Sequence, residues 1–501
     1  MSLNYLSLSN LFMRYPEIIL SLASFLLIYI LRCSYRSSGY AIPTNWPLIG
    51  MLPSLAVNTE NFNSWVAAVL REAGGNFLFK GPWFTGMDAF TTCDPANVNH
   101  IFSSNFRNYP KGQEFSEVLD TLGDGISASD GDSWAFQRRI GISLMSSTKF
   151  RSSMRAASFK KVTEGLLPLL DWIADGNRVV NLCDVLMRFS FDLSLVMVLG
   201  VDPGYLAPDL RVIPFATAMV EMENVSFRRF TTPRFWWKLK RRFGLGEERI
   251  LPPAQKIVDD FLAQRIEKKR EESKTSSGGE DVDLLSLLVG ICGQDNAISD
   301  EFLRDILLSF ILASKDNAGI VLGWFFWLVS LNPRVEKKIL DELRWSKPSS
   351  NNSKVLIYES LRLYPPVPYN IKLALEDDVL PSGHKVNAGQ HVFISTYAIA
   401  RMEGVWGKDC LEFRPERWID GRTGRLRFEP SCKFLSFHCG PRSCVGKNMA
   451  LVSIKMAAAA LMYNFEVEVE EGHVVEPSLS ILLLMKNGLR VRLKKRSWIT
   501  A

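Results

Sequence analysis

The residues best suited to chemistry lie in one short loop near the C-terminus, FLSFHCGPRSCVGKNMA at 434–450. Cys444 stands between Gly440 and Gly446, and the apolar run that follows predicts a helix. A cysteine at the start of a helix lies near unpaired backbone N–H groups and the positive end of the helix dipole, and both favour the thiolate. Arg442 carries a guanidinium suited to gripping a carboxylate through two hydrogen bonds. A thiolate, a tight loop and an arginine are together what a haem iron site requires.

This loop matches a family pattern at every fixed position. Phe437, Gly440, Arg442, Cys444 and Gly446 fill the pattern F-x-x-G-x-R-x-C-x-G, and in this the chain resembles the cytochromes P-450. The resemblance implies haem b with Cys444 as the axial iron ligand and the other four residues as cofactor-binding positions. It also implies a fold that is mainly α with a smaller β region. A lone cysteine before a helix is more often a buried core residue, but that interpretation leaves the complete loop unexplained.

Two further motifs belong to the same pattern. Trp134 and Arg138 stand four apart on a predicted helix and share one face, and the resemblance implies that both donate hydrogen bonds to the haem propionates. Glu359 and Arg362 resemble the family's structural ion pair, with Arg417 as its third member. A solvated helix pair is the alternative for Glu359 and Arg362 alone. A buried glutamate between two arginines forms a network whose disruption costs several kcal/mol.

The longest predicted helix, residues 300–330, is largely apolar with charges at its middle. The resemblance places it over the distal haem face, where the family pattern A/G-G-x-D/E-T accompanies oxygen. Here the acid is Asp316, the usual glycine is Ser314 and the usual threonine is Asn317. Asp316 and Asn317 are the candidate catalytic residues. An amide is a poor proton relay, so the proton route departs from the family pattern. Ser314 and Asn317 can still bond back to the backbone and distort the helix locally.

Composition bounds the class of protein. The chain has 501 residues, of which 47% are hydrophobic and 22% charged, as expected of an ordered globular protein. The net charge of +6 is modest and its basic residues are dispersed, which argues against a nucleic-acid partner. The eight cysteines are irregularly spaced and form no CxxC pair, so they predict neither a disulfide framework nor a zinc site. A reducing compartment suits a cysteine that must stay free.

The N-terminus predicts a membrane anchor. Residues 18–31 are uncharged and strongly apolar, and basic residues follow directly. Fourteen residues rise about 21 Å as a helix, and the neighbouring residues bring the segment to the lower limit of a span. A cleaved signal peptide is the alternative, but no small-x-small site follows. We expect an N-terminal transmembrane helix within an anchor at 1–36, a proline-rich hinge at 37–56 and a catalytic domain at 57–501. The resemblance and the flanking charges imply a single-pass endoplasmic reticulum protein with a cytosolic domain.

The hydrophobic periodicity of the rest of the chain predicts its secondary structure. Helical patterning dominates residues 150–345. Strands are predicted within 76–93, 365–370, 378–392 and 480–492.

Three connecting segments stand out. The run at 274–283 is polar and predicts a flexible connection. By the resemblance, the link at 344–355 is shorter than in other members of the family, which puts the packing beneath the haem in question. Residues 227–243 mix aromatic and basic side chains, which suits either an interfacial stretch on anionic lipid or a solvated basic face.

Within the family, the phrases at 381–386, 405–418 and 483–489 resemble the plant fatty-acid and alkane hydroxylases. The branch most resembled holds midchain alkane hydroxylases and Amaryllis-family enzymes that couple phenols in alkaloid precursors. The resemblance implies a membrane-bound enzyme that takes O2 and electrons from NADPH through a cytochrome reductase. The reaction expected is intramolecular phenol coupling of a norbelladine-type precursor, with midchain or terminal hydroxylation of alkanes or fatty acids as the alternative. A haem-binding protein with impaired turnover is the alternative of another class.

The resemblance also assigns contact surfaces. The reductase is expected to dock beside Cys444, where Arg139, Lys433 and Lys447 would form a cationic surface. The lipophilic or phenolic substrate would meet a pocket whose residues can equally be plain core. The candidate pocket residues are Ile126, Met222, Leu312, Ala313, Val367, Ile481 and Leu482.

Overall fold

A computed structural model describes residues 42–83, 85–275, 283–292, 299–345 and 352–500, together with Ser21 and Ser24. Helices make up most of these residues and three small sheets complete them, which confirms the predicted balance of α and β structure. The helices of the first half are α1 (Leu52–Val57), α2 (Phe62–Glu72), α3 (Pro95–Asn99), α4 (Gln113–Val118), α5 (Gly131–Ser146), α6 (Thr148–Lys160), α7 (Leu167–Asp175), α8 (Leu182–Leu199), α9 (Pro214–Phe230) and α10 (Arg234–Phe243). Those of the second half are α11 (Leu251–Thr275), α12 (Leu284–Cys292), α13 (Asp300–Lys315), α14 (Asn317–Ser330), α15 (Pro333–Trp345), α16 (Asn352–Leu363), α17 (Thr396–Ile399), α18 (Glu403–Trp406), α19 (Lys447–Asn464) and α20 (Ser497–Thr500).

Most of the strands begin within the predicted ranges, but those at Val180–Asn181 and Phe465–Val469 were not predicted. The strands are β1 (Asn76–Phe79), β2 (Ala89–Thr92), β3 (Val180–Asn181), β4 (Tyr369–Leu373), β5 (Asp378–Val379), β6 (Lys385–Val386), β7 (His391–Ser395), β8 (Phe465–Val469) and β9 (Arg490–Lys495). The expected strand at 480–492 is wrong for most of its length, since the strand starts only at Arg490. Gly488 has a φ of 65° just before it, which turns the chain out of extended geometry.

Each sheet has a simple topology. The four-stranded sheet has the order β1-β2-β7-β4, in which β2 and β7 run parallel and the outer pairs antiparallel. Strands β3, β9 and β8 form an antiparallel sheet, and β5 pairs with β6. Strand β4 is therefore an edge strand, and it carries its residues past the loop that contains Cys444.

The core helices are fixed by their ends and by their apolar faces. The side chain of Asn181 accepts a hydrogen bond from the backbone of Cys183 at the start of α8, and Gly200 ends that helix in left-handed geometry. The Ser299 side chain caps α13 in the same way, with two acidic residues in its first turn. Helix α14 is apolar on all sides and is buried against α8 and α16.

One helical run among the described residues, Asp300–Ser330, is long and apolar enough to cross a membrane. Its most apolar window is 72% buried inside the protein, so it is a core element. The predicted anchor at 1–36 lies outside the described residues except for Ser21 and Ser24. Residues 276–282 of the polar connection and 346–351 of the short link also lie outside them.

The predicted proline-rich hinge at 37–56 contains regular structure. Trp46 and Gly50 form an isolated antiparallel bridge, and α1 begins at Leu52, inside the hinge. The backbone N–H of Met51 donates to the carbonyl of Lys80 at 2.8 Å, which holds the segment against the end of β1. The proline at the second position of α1 explains the helix, because proline is tolerated in a first turn.

Candidate active site

The loop that carries Cys444 is built from two short turns and one close contact. The backbone N–H of Cys444 donates to the carbonyl of Phe437 at 2.8 Å, which closes the loop before α19 begins at Lys447. Gly440 has a φ of 64°, and a side-chain carbon on it would lie 1.9 Å from the carbonyl oxygen of Phe102. Only glycine fits there. The side chain of Cys444 is left exposed to a large cavity.

The N–H groups at the start of α19 favour the thiolate of Cys444 as the sequence predicts, but a second effect opposes them. Although the sulfur faces the cavity, the surrounding protein desolvates it, and this raises the pKa of its thiol. The N–H groups of Gly446 and Lys447 and the charge of Arg138 lower the pKa, as the helix-start argument requires, but they do not outweigh the loss of water. A bound metal ion deprotonates a coordinating thiol by its own charge. Binding of the haem iron would therefore favour ionisation of Cys444.

The two predicted arginines both lie near the ring of Trp134. The guanidinium of Arg138 donates to the carbonyl of Ser443 at 2.7 Å and to its hydroxyl at 3.2 Å, so it holds the cysteine loop directly. The guanidinium of Arg442 lies 4.6 Å from the ring centre of Trp134 and donates to the carbonyl of Ser129 at 2.9 Å. It also pairs with Asp130, while its Nε has no hydrogen-bond partner among the described residues.

Two lysines that the sequence reasoning missed complete a buried cationic cluster. Lys372 of β4 is 1% exposed, and its Nζ has no hydrogen-bond partner among the described residues. Burial and the neighbouring Arg442 lower its pKa well below the usual value. Burial likewise lowers the pKa of Lys111 to about 7. Asp130 is the acidic side chain that acts on all three of these cations. A lysine in a short strand was a weak signal because its burial depends on the packed sheet.

This cluster fits haem. Burying a charge without a partner is unfavourable, and buried cations with unused donors imply a bound anion that would compensate them. The two propionates of haem are such anions, and they would lie next to the cavity that Cys444 faces. The residues that would hold the cofactor are Cys444, Arg442, Lys372 and Lys111. When bound, the haem supplies oxygen binding and the oxidising chemistry.

The predicted structural network is present. Glu359 is fully buried and accepts from Arg362 at 2.8 and 2.9 Å and from Arg417 at 3.0 Å. The indole of Trp418 also donates to it at 2.8 Å. Arg362 uses its remaining donors on the carbonyls of Ala400, Cys410 and Glu412. Every charged group is thus paired, which is the condition under which a buried network is tolerated.

The distal helix breaks where the sequence predicts a distortion. Helix α13 ends at Lys315 and α14 begins at Asn317, with Asp316 between them at a φ of −111°. Asn317 donates from Nδ2 to the carbonyl of Ala313 at 2.6 Å, and Ser314 donates to that of Phe310 at 2.7 Å. Both side chains bond back one turn, which bends helices. Oδ1 of Asn317 is buried and has no partner among the described residues.

A buried ion triad lies at this break, and the sequence reasoning missed two of its members. Lys315 is 1% exposed, and its Nζ lies 2.9 Å from each carboxylate oxygen of Glu223 on α9. It also pairs with Asp316. The pKa of Glu223 is raised to about 7. Burial raises it most, Lys315 lowers it and Asp316 raises it further. The triad joins α9 to the distal helix, and its carboxylates line the cavity.

One cavity of about 2140 Å³ unites the sequence-predicted positions. It extends from Cys444 and Arg442 on one side to Asp316 and Asn317 on the other. All the candidate pocket residues line it, namely Ile126, Met222, Leu312, Ala313, Val367, Ile481 and Leu482. Trp134 and Arg138 line it as well. The volume has to accommodate both a haem and a substrate.

The proposed reductase surface is only partly free. Arg139 is exposed. Lys433 pairs with Glu429 at 2.9 Å, and Lys447 lies 5.2 Å from the ring centre of Phe437. These contacts leave Arg139 as the least committed of the three predicted cations.

A cysteine on a closed loop, a buried cationic cluster beside it and a broken helix across the cavity define a haem-thiolate protein. The model of the cytochrome P-450 family matches residues 41–493, and the chain belongs to that family. It is therefore an oxidoreductase of the monooxygenase type, for which haem, O2, a redox partner and a small-molecule substrate follow from the family.

Several known proteins are similar over nearly the whole chain. Noroxomaritidine synthase 2 of Narcissus aff. pseudonarcissus MK-2014 is 41% identical over 503 residues, which cover 96% of this chain and 97% of that protein. Cytochrome P-450 86B1 of Arabidopsis thaliana is 40% identical, covering 96% of this chain and 90% of its own length. Alkane hydroxylase MAH1 of Arabidopsis thaliana is 39% identical, covering 92% and 95%. These relatives include both kinds of enzyme in the branch that the sequence resembles.

Proposed function

We propose that the protein couples two phenol rings within one norbelladine-type alkaloid precursor. The observation that carries this proposal is the 41% identity, over almost the entire chain, to a noroxomaritidine synthase. The cavity supports it, because one continuous space joins Cys444 to Asp316 and Asn317. Apolar side chains such as Leu312 and Val367 would pack on the aromatic rings and hold them close together.

The proposed reaction balances without oxygen entering the product. The substrate gives up two phenolic hydrogen atoms, and a carbon–carbon bond forms between its rings. NADPH supplies two electrons through the reductase, and two protons come from solvent. O2 takes up all of these and leaves as two waters. Hydroxylation differs because one oxygen atom stays in the product.

We assign proton handling at the distal break to Asp316. Asn317 has one N–H committed to the carbonyl of Ala313, and an amide neither gains nor loses a proton near neutral pH. Its role is to position a donor, such as water or a substrate hydroxyl, on its free Oδ1. The carboxylate of Asp316 is the group able to pass a proton.

Two alternatives keep specific support. The 39% identity to an alkane hydroxylase favours midchain or terminal hydroxylation of alkanes or fatty acids. Asn317 in the position of the family's threonine favours a haem-binding protein with impaired turnover. In that case the Asn317→Thr variant would turn over substrate and the wild-type protein would not.

Labelled oxygen separates the two reactions. Holoenzyme in microsomes with a plant reductase is supplied with NADPH, norbelladine and ¹⁸O2. Coupling gives a product that has lost two hydrogen atoms and contains no ¹⁸O. A main product with one ¹⁸O atom would refute the proposal in favour of hydroxylation. A long-chain alkane in parallel incubations serves as the competing substrate.

For localisation, we propose an endoplasmic reticulum anchor at 1–36 with the catalytic domain on the cytosolic side. Helix α10 supports contact with the membrane surface, because Phe235 is 60% and Trp236 47% exposed. Two basic residues of α10 are less available to bind anionic lipid than the sequence indicates. Arg234 and Lys238 both pair with Glu117 of α4 at 2.6 Å.

A further inference from the structure

When both of its carboxyls are ionised, the triad at the distal break carries more negative than positive charge. Two carboxylates, those of Glu223 and Asp316, share the single ammonium of Lys315. Lys315 itself is almost inaccessible and does not line the cavity, whereas both carboxylates do. The face that this triad presents to a ligand is therefore acidic. A second cation placed beside it would complete the pairing.

Glu223 is the more available of the two carboxylates. Its side chain is 23% exposed, against 10% for Asp316. Each oxygen of Glu223 accepts one contact from Lys315 at 2.9 Å. A carboxylate has about four lone-pair positions, so Glu223 retains acceptor capacity on the side that faces the cavity.

Two other groups along the same wall are unused acceptors. Ser309 is fully buried, lines the cavity, and its Oγ has no hydrogen-bond partner among the described residues. The buried Oδ1 of Asn317 is likewise without one. Both residues line the same cavity as the carboxylates of the triad. Their oxygens can accept hydrogen bonds from a ligand there.

The basic residues nearest along α9 are already committed and do not neutralise Glu223. Arg229 pairs with Glu248 at 2.7 Å and with Asp120 at 2.8 Å. Arg228 pairs with Glu247 at 2.9 Å. The charged groups that act on Glu223 are Lys315 and Asp316.

From these contacts we infer that Glu223 receives a protonated amine of the substrate, so that the cavity selects cationic amines over neutral or anionic ligands of the same shape. This inference rests on the proposed function and extends it from the phenols to the nitrogen between them. It also predicts that the alternative substrates bind more weakly than amines. Fatty-acid anions would be repelled by the acidic triad, and neutral alkanes would gain nothing from it.

The test compares two ligands and two variants of the holoenzyme. The ligands are norbelladine and its analogue with a methylene in place of the amine, and their affinities are read from the shift of the haem Soret band. In the wild type we expect norbelladine to bind about tenfold more tightly than the analogue, as one charge-assisted contact allows. Glu223→Gln keeps the shape and a contact for Lys315, and should bring the two affinities together.

The control variant is Asp260→Asn. It also removes one carboxylate that pairs with a lysine, Lys256, but at an exposed position of α11 that does not line the cavity. It should leave the preference for the amine intact. An equal loss of preference in both variants would show a general effect of charge and overturn the inference. A preference that survives Glu223→Gln would overturn it as well.

Proton release gives an independent readout. Because burial raises the pKa of Glu223 to about 7, the carboxyl is partly protonated near neutral pH and a bound ammonium would expel that proton. Calorimetric titration with norbelladine in two buffers of different ionisation enthalpy should show release by the wild type and none by Glu223→Gln. Equal release by both would contradict the inference.

The two proposals fail separately. If Glu223→Gln removes the amine preference while the wild type incorporates ¹⁸O, the amine contact stands and coupling fails. If the product is coupled and free of ¹⁸O but the preference is unchanged in the variant, coupling stands and the amine contact fails.

Discussion

The carbonyl oxygen of Phe102 lies so close to Gly440 that any side chain there would overlap it. A carbon added at Gly440 would sit 1.9 Å from that oxygen, and the φ of 64° is one that other residues rarely adopt. This contact fixes how closely the cysteine loop packs against the helical turn at 100–104. The position of the Cys444 loop is therefore set by backbone packing.

Gly440→Ala should displace this loop and lower the haem content of the purified protein. Both the strain of a positive φ and the overlap with Phe102 act against the native loop, and together they cost more than about 1 kcal/mol. The ratio of haem to protein absorbance measures the loss. Gly404→Ala is the matched control, since a carbon at that glycine meets nothing within 4 Å. Equal haem content in the two variants would contradict the account.

Lys372→Met should stabilise the haem-free protein but weaken haem binding. The haem-free protein gains stability because a buried lysine that has no partner among the described residues is removed. It also removes one counter-charge for the propionates, worth about 1.5 kcal/mol or more, so haem should leave at least about tenfold faster. Transfer to apomyoglobin measures that rate. Lys385→Met, at an exposed lysine of β6, should change neither property.

Glu359→Gln should destabilise the fold severely. It leaves the guanidiniums of Arg362 and Arg417 without their shared carboxylate, and breaking such a buried network costs about 3–5 kcal/mol. Chemical denaturation followed by circular dichroism provides the comparison. The control is Glu416→Gln, whose partners Arg334 and Lys338 are exposed and whose loss should cost no more than about 1 kcal/mol. Similar losses in the two variants would speak against a buried network.

Asp378 predicts a pH dependence of stability. It accepts from Tyr109 at 2.7 Å, His100 at 2.8 Å and Asn105 at 3.0 Å, and so holds the segment that includes Phe102. Burial raises the pKa of Asp378, but these hydrogen bonds outweigh burial and hold it below the usual value. A lowered pKa means that the ionised form adds stability above the unfolded-state pKa, near pH 4, and loses it below.

The variant Asp378→Asn should accordingly be less stable than the wild type by about 2 kcal/mol at neutral pH. The difference should shrink as the pH falls below about 4, where the wild-type carboxyl also becomes neutral. Denaturation curves at several pH values follow it. A gap that stays constant on acidification would show that charge on Asp378 contributes nothing.

The sequence predicted the parts of the site that are set by local spacing. The loop around Cys444, the pair Trp134 and Arg138, and the break at Asp316 each depend on residues within a few positions of one another. The pattern of glycines, hydroxyls and amides that bends the chain is visible there without knowledge of the fold.

What the sequence missed depends on long-range packing. Lys372 is on a half-buried strand, and only the assembled sheet shows that its ammonium has no acidic partner among the described residues. Glu223 is 92 positions from Lys315, so their contact is not encoded in any local period. The raised pKa of the Cys444 thiol could not be predicted for the same reason, since desolvation by the surrounding protein outweighs the local N–H groups. The prediction of a strand at 480–492 was wrong because the chain turns at Gly488 and the strand begins only after that turn.

The measurement that tests the account most directly is the carbon-monoxide difference spectrum of the reduced protein in microsomes, recorded beside Cys444→Ala. The account predicts a strongly red-shifted Soret band in the wild type and its loss in the variant, because thiolate ligation requires this sulfur. A wild-type band at the unshifted position typical of imidazole ligation, or a red-shifted band that persists in Cys444→Ala, would contradict it.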